Sequence, residues 1–580
     1  MLFKYLMASW LLVNCGADFS PTQQTSQLHD FSSFDESKKL QDFYSIISII
    51  DEHYAMVDYK EKRFNFSWAD KKEEFKNRIL DPQVGRKDFE KIIQEMVALF
   101  ADGHVSASLG RSSYLEDPSI TTLGFLTKYD PEQDIYVIDQ VLPHIFSHSP
   151  FQSGDQILEF NSRSIEDVVQ EDILKYTNTG RERANKNIAA SLLTMRLPHI
   201  FSNIPEGITH VKVKRQDTII EREVPWLHLT QTDIFFMLFF GQNDSYKTIT
   251  KKSQDGFQTA VSNRLSGILN LMNNNHTDLK IAASIPALIA SSIQKSADQP
   301  DFYKRSESYQ DLNFELFPMG QGWAAIYRIE DFVNSRLRCQ GKDCKIINGE
   351  TYANAFSQLK NQGVHTLILD LRSNGGGYLQ AGYELLRAFK KDTIDIGLTE
   401  IRLNEEWMQT FRNLSETPLI PYAERHEWRE SYQTLLEDAK EEKKISRPVS
   451  IVGSKSLEGV SNPWEGETLI LIDDMCASMC DIFTVAMQDL DLATVVGSQS
   501  MGAGGNVIGF QNAAPNQKIS LSITASRILR LDGSLIENEG AHPDIETVLT
   551  KGPSFWDTVI QVGKDLMNKN KSVATKTTPE

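Results

Sequence analysis

Two strand-turn-helix patterns in the C-terminal half of the sequence constrain the fold of this 580-residue chain more than any other feature. Residues 366–372 form an apolar strand pattern that enters a turn with three consecutive glycines. Residues 468–472 form a second apolar strand pattern, whose turn ends at Ser478. A helical pattern of apolar residues follows each turn, and strands that alternate with helices are typical of a layered α/β core. The sequence therefore predicts a multi-domain α/β protein with a core domain at 316–555.

The N-terminal part of the chain shows helical periodicity over residues 36–101. Apolar residues recur three and four positions apart in two stretches, which predicts two amphipathic helices with buried faces. The members of these faces are Phe43, Ile46, Ile47, Ile50, Phe89, Ile92, Ile93, Met96 and Leu99. An alternating segment at 105–109 predicts a strand just after His104. We assign 36–117 to a helical domain that carries His104, preceded by a polar linker at 16–35.

Residues 118–226 have a different, β-rich character. The pattern between residues 211 and 224 predicts a hairpin, and a Gly-Asp turn leads into an apolar strand pattern at 156–161. This arrangement resembles a PDZ module, in which a peptide C-terminus adds as a strand to a sheet edge. The segment 170–205 is long for such a module, so another small β-rich domain stays open as the alternative.

Two further segments complete the predicted domain order. Residues 227–315 are polar with little strand pattern, which favours a loop-rich insertion or a segment that is removed by cleavage. Residues 556–580 predict a C-terminal helix followed by a polar tail.

The charge and composition of the chain argue against nucleic acid as a partner, against a metal site and against a transmembrane helix. Lys plus Arg number 60 and Asp plus Glu number 78, so the formal net charge is −18. An acidic chain without a basic stripe repels phosphate backbones, and nucleic acid is therefore not an expected partner. His and Cys residues do not occur at zinc spacing, so no metal site is expected. No segment after the N-terminus is apolar over the length of a transmembrane helix.

The first fifteen residues have the layout of an export signal. Lys4 precedes an apolar run at 6–13, which is too short to span a bilayer. Cys15 follows this run as an imperfect lipoprotein signal, because a small residue is expected where Asn14 stands. Lipidation of Cys15, a simple cleaved signal and an uncleaved apolar start are the alternatives. We expect an exported protein that is periplasmic, anchored at the outer membrane or secreted, with membrane attachment only through its N-terminus.

The other four cysteines form two close pairs. Cys339 and Cys344 bracket a polar turn that would close as a disulfide in an oxidising compartment. Cys476 and Cys480 flank Ser478. They are either a disulfide beside this serine or free thiols that act as small apolar core residues.

Ser478 is the candidate nucleophile that the local pattern indicates. It falls where a helix begins, so the N–H group of Met479 and the helix dipole would favour an oxyanion there. The glycines at 375–377 would expose further N–H groups at the other turn. Ser is also a preferred helix N-cap residue, and the glycines also suit a plain tight turn. The local sequence pattern alone does not exclude these structural roles.

Several separated motifs, in order over roughly residues 40–550, resemble the C-terminal processing protease family. They are Asp-Leu-Arg-x-Asn-Gly-Gly-Gly from Asp370, Ser-x-x-acid-Ile-Phe from Ser478, Gln488-Asp489, and Val-Val-Gly followed by a Gly-rich loop. The family includes tail-specific proteases, the tricorn core and the chlamydial protease-like activity factor. The resemblance implies a crotonase-like ββα core that hydrolyses peptide bonds through an acyl-enzyme, without metal or organic cofactor.

Two catalytic designs occur in this family, and the residue type at position 503 distinguishes them. Tail-specific members place a lysine in the Gly-rich loop, where this chain has Ala503. The tricorn-like and chlamydial-factor branch uses His and Glu instead. The resemblance to this branch assigns Ser478 as the nucleophile, His104 as the general base and Glu537 as the carboxylate that orients the imidazole ring.

The same resemblance implies an oxyanion hole built from backbone N–H groups. Its donors would be Met479 and Gly375 or Gly376. Asp481 and Asp489, on the helix after Ser478, are expected to be structural.

The base and the carboxylate have competitors in the sequence. His365 precedes a buried strand pattern and His542 lies near Glu537, so both compete with His104. Glu539 competes with Glu537, and it would face the opposite side if this segment were extended.

A scaffold of this kind does not by itself decide activity. Retinoid-binding modules resemble the family and act as carriers, and an inactive protease that binds peptides would also share the scaffold. The presence of Ser, His and Glu together favours a peptidase that acts on protein or peptide substrates. The resemblance to the chlamydial factor also implies a homodimer and a zymogen that is activated by cleavage within 227–315.

Overall fold

The computed structural model describes residues 35–109, 120–141, 150–198, 201–229, 305–320, 322–333, 337–340, 343–547 and 553–574. The predicted signal with Cys15 and most of the segment 227–315 lie outside these residues. The chain divides into two compact units. The described residues of the first unit fall within 35–229, 400–453 and 505–527, and those of the second within 305–399, 454–504 and 528–574.

Four helices and a strand form the N-terminal part of the first unit. They are α1 (Glu36–His53), α2 (Val57–Phe64), α3 (Trp68–Ile79), α4 (Arg86–Ala98) and β1 (Ser106–Leu109). The side chains of Asp35 and Ser67 cap the starts of α1 and α3. The predicted apolar faces are confirmed, because every member is buried except Leu99, which is partly buried.

The predicted β-rich region also belongs to the first unit. Its elements are β2 (Ile120–Thr122), β3 (Phe125–Asp130), β4 (Ile135–Val141), β5 (Gln156–Phe160), β6 (Arg163–Ser164), α5 (Ile165–Val169, continued by a π-helical turn at Gln170–Leu174), α6 (Glu182–Leu193), β7 (Met195–Arg196), β8 (Ile208–Arg215), β9 (Thr218–Pro225) and β10 (Leu227–Leu229). β3, β4, β5, β8 and β9 form one sheet in that order, and β10, β2 and β7 form another. The predicted hairpin is confirmed as β8–β9.

Strands and helices alternate through the rest of the chain. The elements are β11 (Arg305–Tyr309), β12 (Leu312–Met319), β13 (Gly322–Arg328), β14 (Leu337–Gln340), β15 (Asp343–Ile346), α7 (Gly349–Asn361), β16 (Val364–Asp370), α8 (Leu379–Arg387), β17 (Ile394–Asp395), β18 (Thr399–Ile401), α9 (Glu405–Glu416), α10 (Tyr422–Lys440), β19 (Ser456–Leu457), β20 (Glu467–Ile472), α11 (Met479–Asp489), β21 (Thr494–Gly497), β22 (Val507–Ala514), β23 (Ile519–Thr524), β24 (Ser526–Ile528), β25 (Ile545–Glu546) and α12 (Pro553–Ala574). This alternation is the predicted α/β pattern.

The second unit is built on a seven-stranded sheet in the order β11-β12-β13-β16-β20-β21-β25. Neighbours run parallel from β13 to β25, whereas β11, β12 and β13 are antiparallel. β11 and the start of β12 lie in this sheet, although the predicted insertion extended to residue 315. Because β16 and β20 are parallel neighbours, the glycine turn and the Ser478 turn leave the sheet at the same edge.

Two segments within the predicted core domain belong to the first unit, namely 400–453 and 505–527. The second of them contains β22 and β23, which form a sheet with β1. Apolar residues of this sheet share one core with α1 to α4. The sheet therefore anchors the turn that carries His104, because β1 follows this turn directly. In the ranges that the structure covers, no helix is both long enough and apolar enough to cross a membrane.

Candidate active site

Ser478 lies between β20 and α11, where the strand-turn-helix pattern predicted it. Its backbone has φ +59° and ψ −121°, a conformation that L-residues rarely adopt and that costs on the order of 1–3 kcal/mol. The Ser478 hydroxyl makes no capping hydrogen bond to α11, so an N-cap role does not explain this residue. Ser478 is half-buried, whereas its neighbours at 473–477 and Met479 are buried. The turn thus presents one hydroxyl from an otherwise buried segment.

The glycine turn packs directly against the Ser478 turn. The N–H group of Ala477 donates to the Asn374 carbonyl at 3.0 Å. Gly376 has φ +97°, and a Cβ at this position would lie 2.5 Å from the Cβ of Ser478. Residue 376 must therefore be glycine for both conformational and steric reasons.

The three expected oxyanion donors differ in their partners. The N–H group of Gly376 donates to Asn374 Oδ1 at 2.8 Å, so it is engaged within the turn. Within the described part of the chain, no acceptor engages the N–H groups of Met479 and Gly375. Among the expected donors, Met479 and Gly375 therefore have N–H groups that remain available to bind an oxyanion.

Asp473 ties the glycine turn to the Ser478 turn. Its Oδ1 accepts hydrogen bonds from the N–H groups of Ser373 at 2.8 Å and Met475 at 3.1 Å. Its Oδ2 accepts a hydrogen bond from the Ser373 hydroxyl at 2.9 Å. Burial raises the pKa of Asp473, and these hydrogen bonds act in the opposite direction. The two turns are therefore held together by one buried carboxyl group.

Asp481 organises the Gly-rich loop at 500–504. This fully buried side chain accepts hydrogen bonds from the Ser500 hydroxyl and from the N–H groups of Gly502 at 2.9 Å and Ala503 at 3.0 Å. The N–H group of Ser478 also lowers the pKa of this carboxyl group. Burial raises the pKa of Asp481 to about 6, although these hydrogen bonds lower it. The sequence indicated this residue only as the acid three positions after Ser478.

Glu537 contacts the same loop and is fully buried. Its Oε2 accepts a hydrogen bond from the N–H group of Gly504 at 3.0 Å. The next residue, Asn538, donates its N–H to the Gly502 carbonyl at 2.7 Å. Glu539, the competitor of Glu537, has a 45% exposed side chain. The second unit thus connects Ser478 and Glu537 through one loop.

His104 lies in the first unit, in the turn between α4 and β1, and is 2% exposed. Its N–H group donates to Asp102 Oδ1 at 2.9 Å. No hydrogen-bond partner for its Nδ1 occurs among the residues described. Burial lowers the pKa of His104 to about 4, with Asp102 raising it and Lys60 lowering it. The ring is therefore neutral at pH 7, the form that accepts a proton.

The competing histidines occupy exposed positions in the second unit. His365 lies on β16 with an exposed side chain. His542 is 60% exposed, with its Nε2 at 3.0 Å from Gln499 Nε2. Neither has the buried setting of His104.

The cysteine pairs have different outcomes. Cys476 and Cys480 form a disulfide across the Ser478 turn, and both are fully buried. Cys339 and Cys344 face each other in the register of β14 and β15, but their side chains lie outside the described part of the structure.

One group of side chains on α10 combines metal-ligand types. His426, Glu427 and Glu430 bring one ligand atom each to within 4.8 Å of one another. His426 and Glu430 are exposed, and such groups are common on helix surfaces without an ion.

Comparisons with known proteins identify the class of this chain. Residues 325–547 match the model of peptidase family S41, and residues 120–232 match that of a PDZ domain. A protein of Chlamydia trachomatis serovar D is 24% identical over 479 residues, which cover 73% of this chain and 77% of the relative. A protein of Chlamydia pneumoniae is 22% identical over 574 residues, which cover 91% of this chain and 89% of the relative.

Solved structures share the fold. Mature CPAF complexed with lactacystin aligns with a TM-score of 0.69 and 16% identity, covering 92% of this chain and 99% of that one. Mature CPAF alone gives the same TM-score and identity, with coverage of 92% and 97%. The match of residues 325–547 to peptidase family S41 identifies the chain as a serine-type peptidase. It carries a family S41 peptidase domain behind a PDZ domain, which confirms the resemblance and the fold class that the motifs predicted.

Proposed function

We propose that the chain is an endopeptidase in which Ser478 is the nucleophile, His104 the general base and Glu537 the carboxylate that orients the base. The observation that carries this proposal is the strained, uncapped and half-buried Ser478 at the start of α11. A carrier protein has no need for a serine in such a conformation, because strain of this kind is retained where function requires it.

The reaction would proceed in two steps. His104 removes the Ser478 proton while Oγ attacks the peptide carbonyl carbon, and the oxyanion accepts hydrogen bonds from the N–H groups of Met479 and Gly375. The protonated imidazole then gives its proton to the leaving amine, which leaves an acyl-enzyme. A water molecule, activated by the same imidazole, hydrolyses the ester and restores the serine hydroxyl. Glu537 would stabilise the imidazolium that forms in each step.

The hydrolysis of an unfolded protein such as casein tests this proposal. We expect Ser478→Ala, His104→Ala and Glu537→Gln each to lower kcat at least about a hundredfold, while circular dichroism remains that of the wild type. Glu539→Gln is the matched control and should retain activity. Full activity of Ser478→Ala would refute the assignment.

Export is part of the same proposal and is supported by the apolar run after Lys4. Mass spectrometry of the protein from its native cells would find a mature N-terminus at or near Cys15, with a lipid adduct if Cys15 is acylated. Intact Met1 in all of the protein would contradict export by a cleaved signal.

Self-cleavage within 227–315 and a homodimer are further proposals, which rest on the resemblance to the chlamydial factor. Mass spectrometry and light scattering of active protein test them. An active protein that remains one uncut, monomeric chain would remove both.

A further inference from the structure

A fully buried ion pair lies beside the proposed base. Lys60 on α2 has a side chain that is 0% exposed, and its Nζ donates to the Ala101 carbonyl at 3.0 Å. The same Nζ lies 4.0 Å from Asp102 Oδ2, and the Asp102 side chain is also 0% exposed. Lys60 therefore contacts the two residues that begin the His104 turn.

The Asp102 carboxylate joins several elements of the first unit. Its Oδ2 accepts hydrogen bonds from the Tyr54 hydroxyl at 3.0 Å and the Thr524 hydroxyl at 2.9 Å. Its Oδ1 accepts the hydrogen bond from the His104 N–H. Both oxygens are thus occupied, and the carboxylate fixes the turn against the end of α1 and against β23.

An ion pair at this place is not explained by stability. The surrounding core is made of apolar residues such as Ile50, Phe100 and Ile523. Replacing a buried ion pair by apolar residues of similar volume is often neutral or stabilising, because removing two charges from water is unfavourable. Ala101, whose carbonyl accepts from Lys60, also has a left-handed φ of +48°. Strain and buried charge at one turn indicate a functional constraint.

The two charges act on the His104 ring in opposite directions. Asp102 attracts a proton on the imidazole, whereas the Lys60 ammonium repels it. Among the described residues, Asp102 and Lys60 shift the pKa of this ring, and the Tyr54 phenol is a further titratable group at the carboxylate. The proposed function would add the Glu537 carboxylate at the ring. The nearby cation Arg527 is paired with Asp58 instead.

We propose that Lys60 is a positioning residue for the reaction, which holds the His104 turn through Ala101 and Asp102 and opposes the attraction of Asp102 for a proton on the ring. Lys60 thereby adds to the effect of burial, which already keeps the imidazole neutral at pH 7, and it holds the turn from which the ring would accept the Ser478 proton. The inference rests on the proposed function of His104 as the base.

A histidine titration by NMR tests this role without using activity. The full chain carries ¹³C-labelled histidine and Ser478→Ala to prevent self-cleavage, and His104→Gln assigns the resonance. We expect Lys60→Met to raise the pKa of His104 by about one pH unit, because the repelling charge is removed. Lys60→Arg should keep the wild-type titration. Lys39→Met is the matched control, since Lys39 is also buried in this unit but donates to the backbone carbonyl of Asp81.

Asp102→Asn supplies a second measurement of opposite sign. Removing the carboxylate leaves the Lys60 charge uncompensated, so the pKa of His104 should fall further. A purely structural role would not predict opposite shifts for these two variants. An unchanged His104 titration in folded Lys60→Met or in Asp102→Asn, or an equal shift in Lys39→Met, would overturn the proposal.

The pH profile of the active enzyme separates this inference from the proposed function. Lys60→Met in the active chain should move the acid limb of kcat/KM to higher pH, with activity recovered at alkaline pH. A profile that falls uniformly at all pH values would contradict the role of Lys60. Full activity of His104→Ala would instead refute the proposed function, whatever the titration shows.

Discussion

The Ser478 turn and the His104 turn are stabilised by different means. Around Ser478, backbone N–H groups and hydroxyls surround the buried carboxyl groups Asp473 and Asp481. Around His104, a carboxylate and an ammonium face each other in an apolar core. An oxyanion needs donors with fixed directions, which a rigid backbone supplies. A general base needs a defined protonation state, which burial and nearby charges together set.

Gly376→Ala should give the largest effect and tests the backbone side of this comparison. The new Cβ would lie 2.5 Å from Ser478 Cβ and 2.6 Å from the Ala477 carbonyl oxygen, so the nucleophile turn must move. The new Cβ would also lie 2.9 Å from the backbone nitrogen of Met479, so this oxyanion donor would be displaced. We expect kcat to fall about a thousandfold, the size typical of a lost oxyanion donor. Gly154→Ala is the control, because Gly154 also has a left-handed φ of +92° but has open space around its Cβ. Equal losses in both variants would show that strain alone is responsible.

The pH dependence of the free energy of unfolding tests whether His104 is a buried, neutral ring. With a folded pKa of about 4 against 6.5 for the free residue, His104 favours folding above pH 6.5. This contribution is lost as the pH falls from 6.5 to 4, because the unfolded chain binds the proton first. The free energy of unfolding should fall by about 3 kcal/mol over this pH range because of His104. Urea unfolding should therefore show a steeper acid loss for the wild type than for His104→Gln, and parallel curves would contradict the buried neutral ring.

Asp481→Asn, which changes the support of the Ser478 turn, should lower kcat less than Gly376→Ala. The amide keeps one acceptor oxygen but places an NH₂ group against N–H donors, so about 2–3 kcal/mol of stability should be lost. We also expect kcat to fall about tenfold, because the N–H groups of Gly502 and Ala503 in the Gly-rich loop lose their charged acceptor. Asp489→Asn on the same helix, which removes a contact with Arg530, is the control for activity. Wild-type kcat in Asp481→Asn would show that the loop does not support the nucleophile.

Removal of the Cys476–Cys480 disulfide should have the smallest effect on activity. Replacing Cys476 and Cys480 together by Ala opens a very short covalent loop, so we expect a loss of about 1–2 kcal/mol in stability. Activity should stay within about threefold, because Asp473 and Asn374 still hold the turn. Activity assays with and without reductant check this, and complete inactivation by reductant would contradict it.

The local parts of this architecture could be predicted from the sequence. The start of α11 at Ser478 follows from an apolar strand, a turn and a helical pattern that are adjacent in the chain. The buried faces of α1 and α4 follow from spacing in the same way.

Contacts between distant parts of the sequence could not be predicted. Asp102 and Thr524 are 422 positions apart, and no periodicity links them. The loss of Gly376 as a donor also depends on the rotamer of Asn374 and not on the glycine motif. Lys60 stands in a helix whose composition resembles a solvent-exposed surface, so its burial has no local signal.

Active-site labelling with a fluorophosphonate, followed by peptide mapping, tests directly whether Ser478 is the nucleophile and His104 its base. We expect one adduct on the wild-type chain, located at Ser478, and strongly slowed labelling in His104→Ala and Glu537→Gln. Labelling of another serine by a proteolytically active chain, or undiminished labelling of Ser478 in His104→Ala, would contradict it.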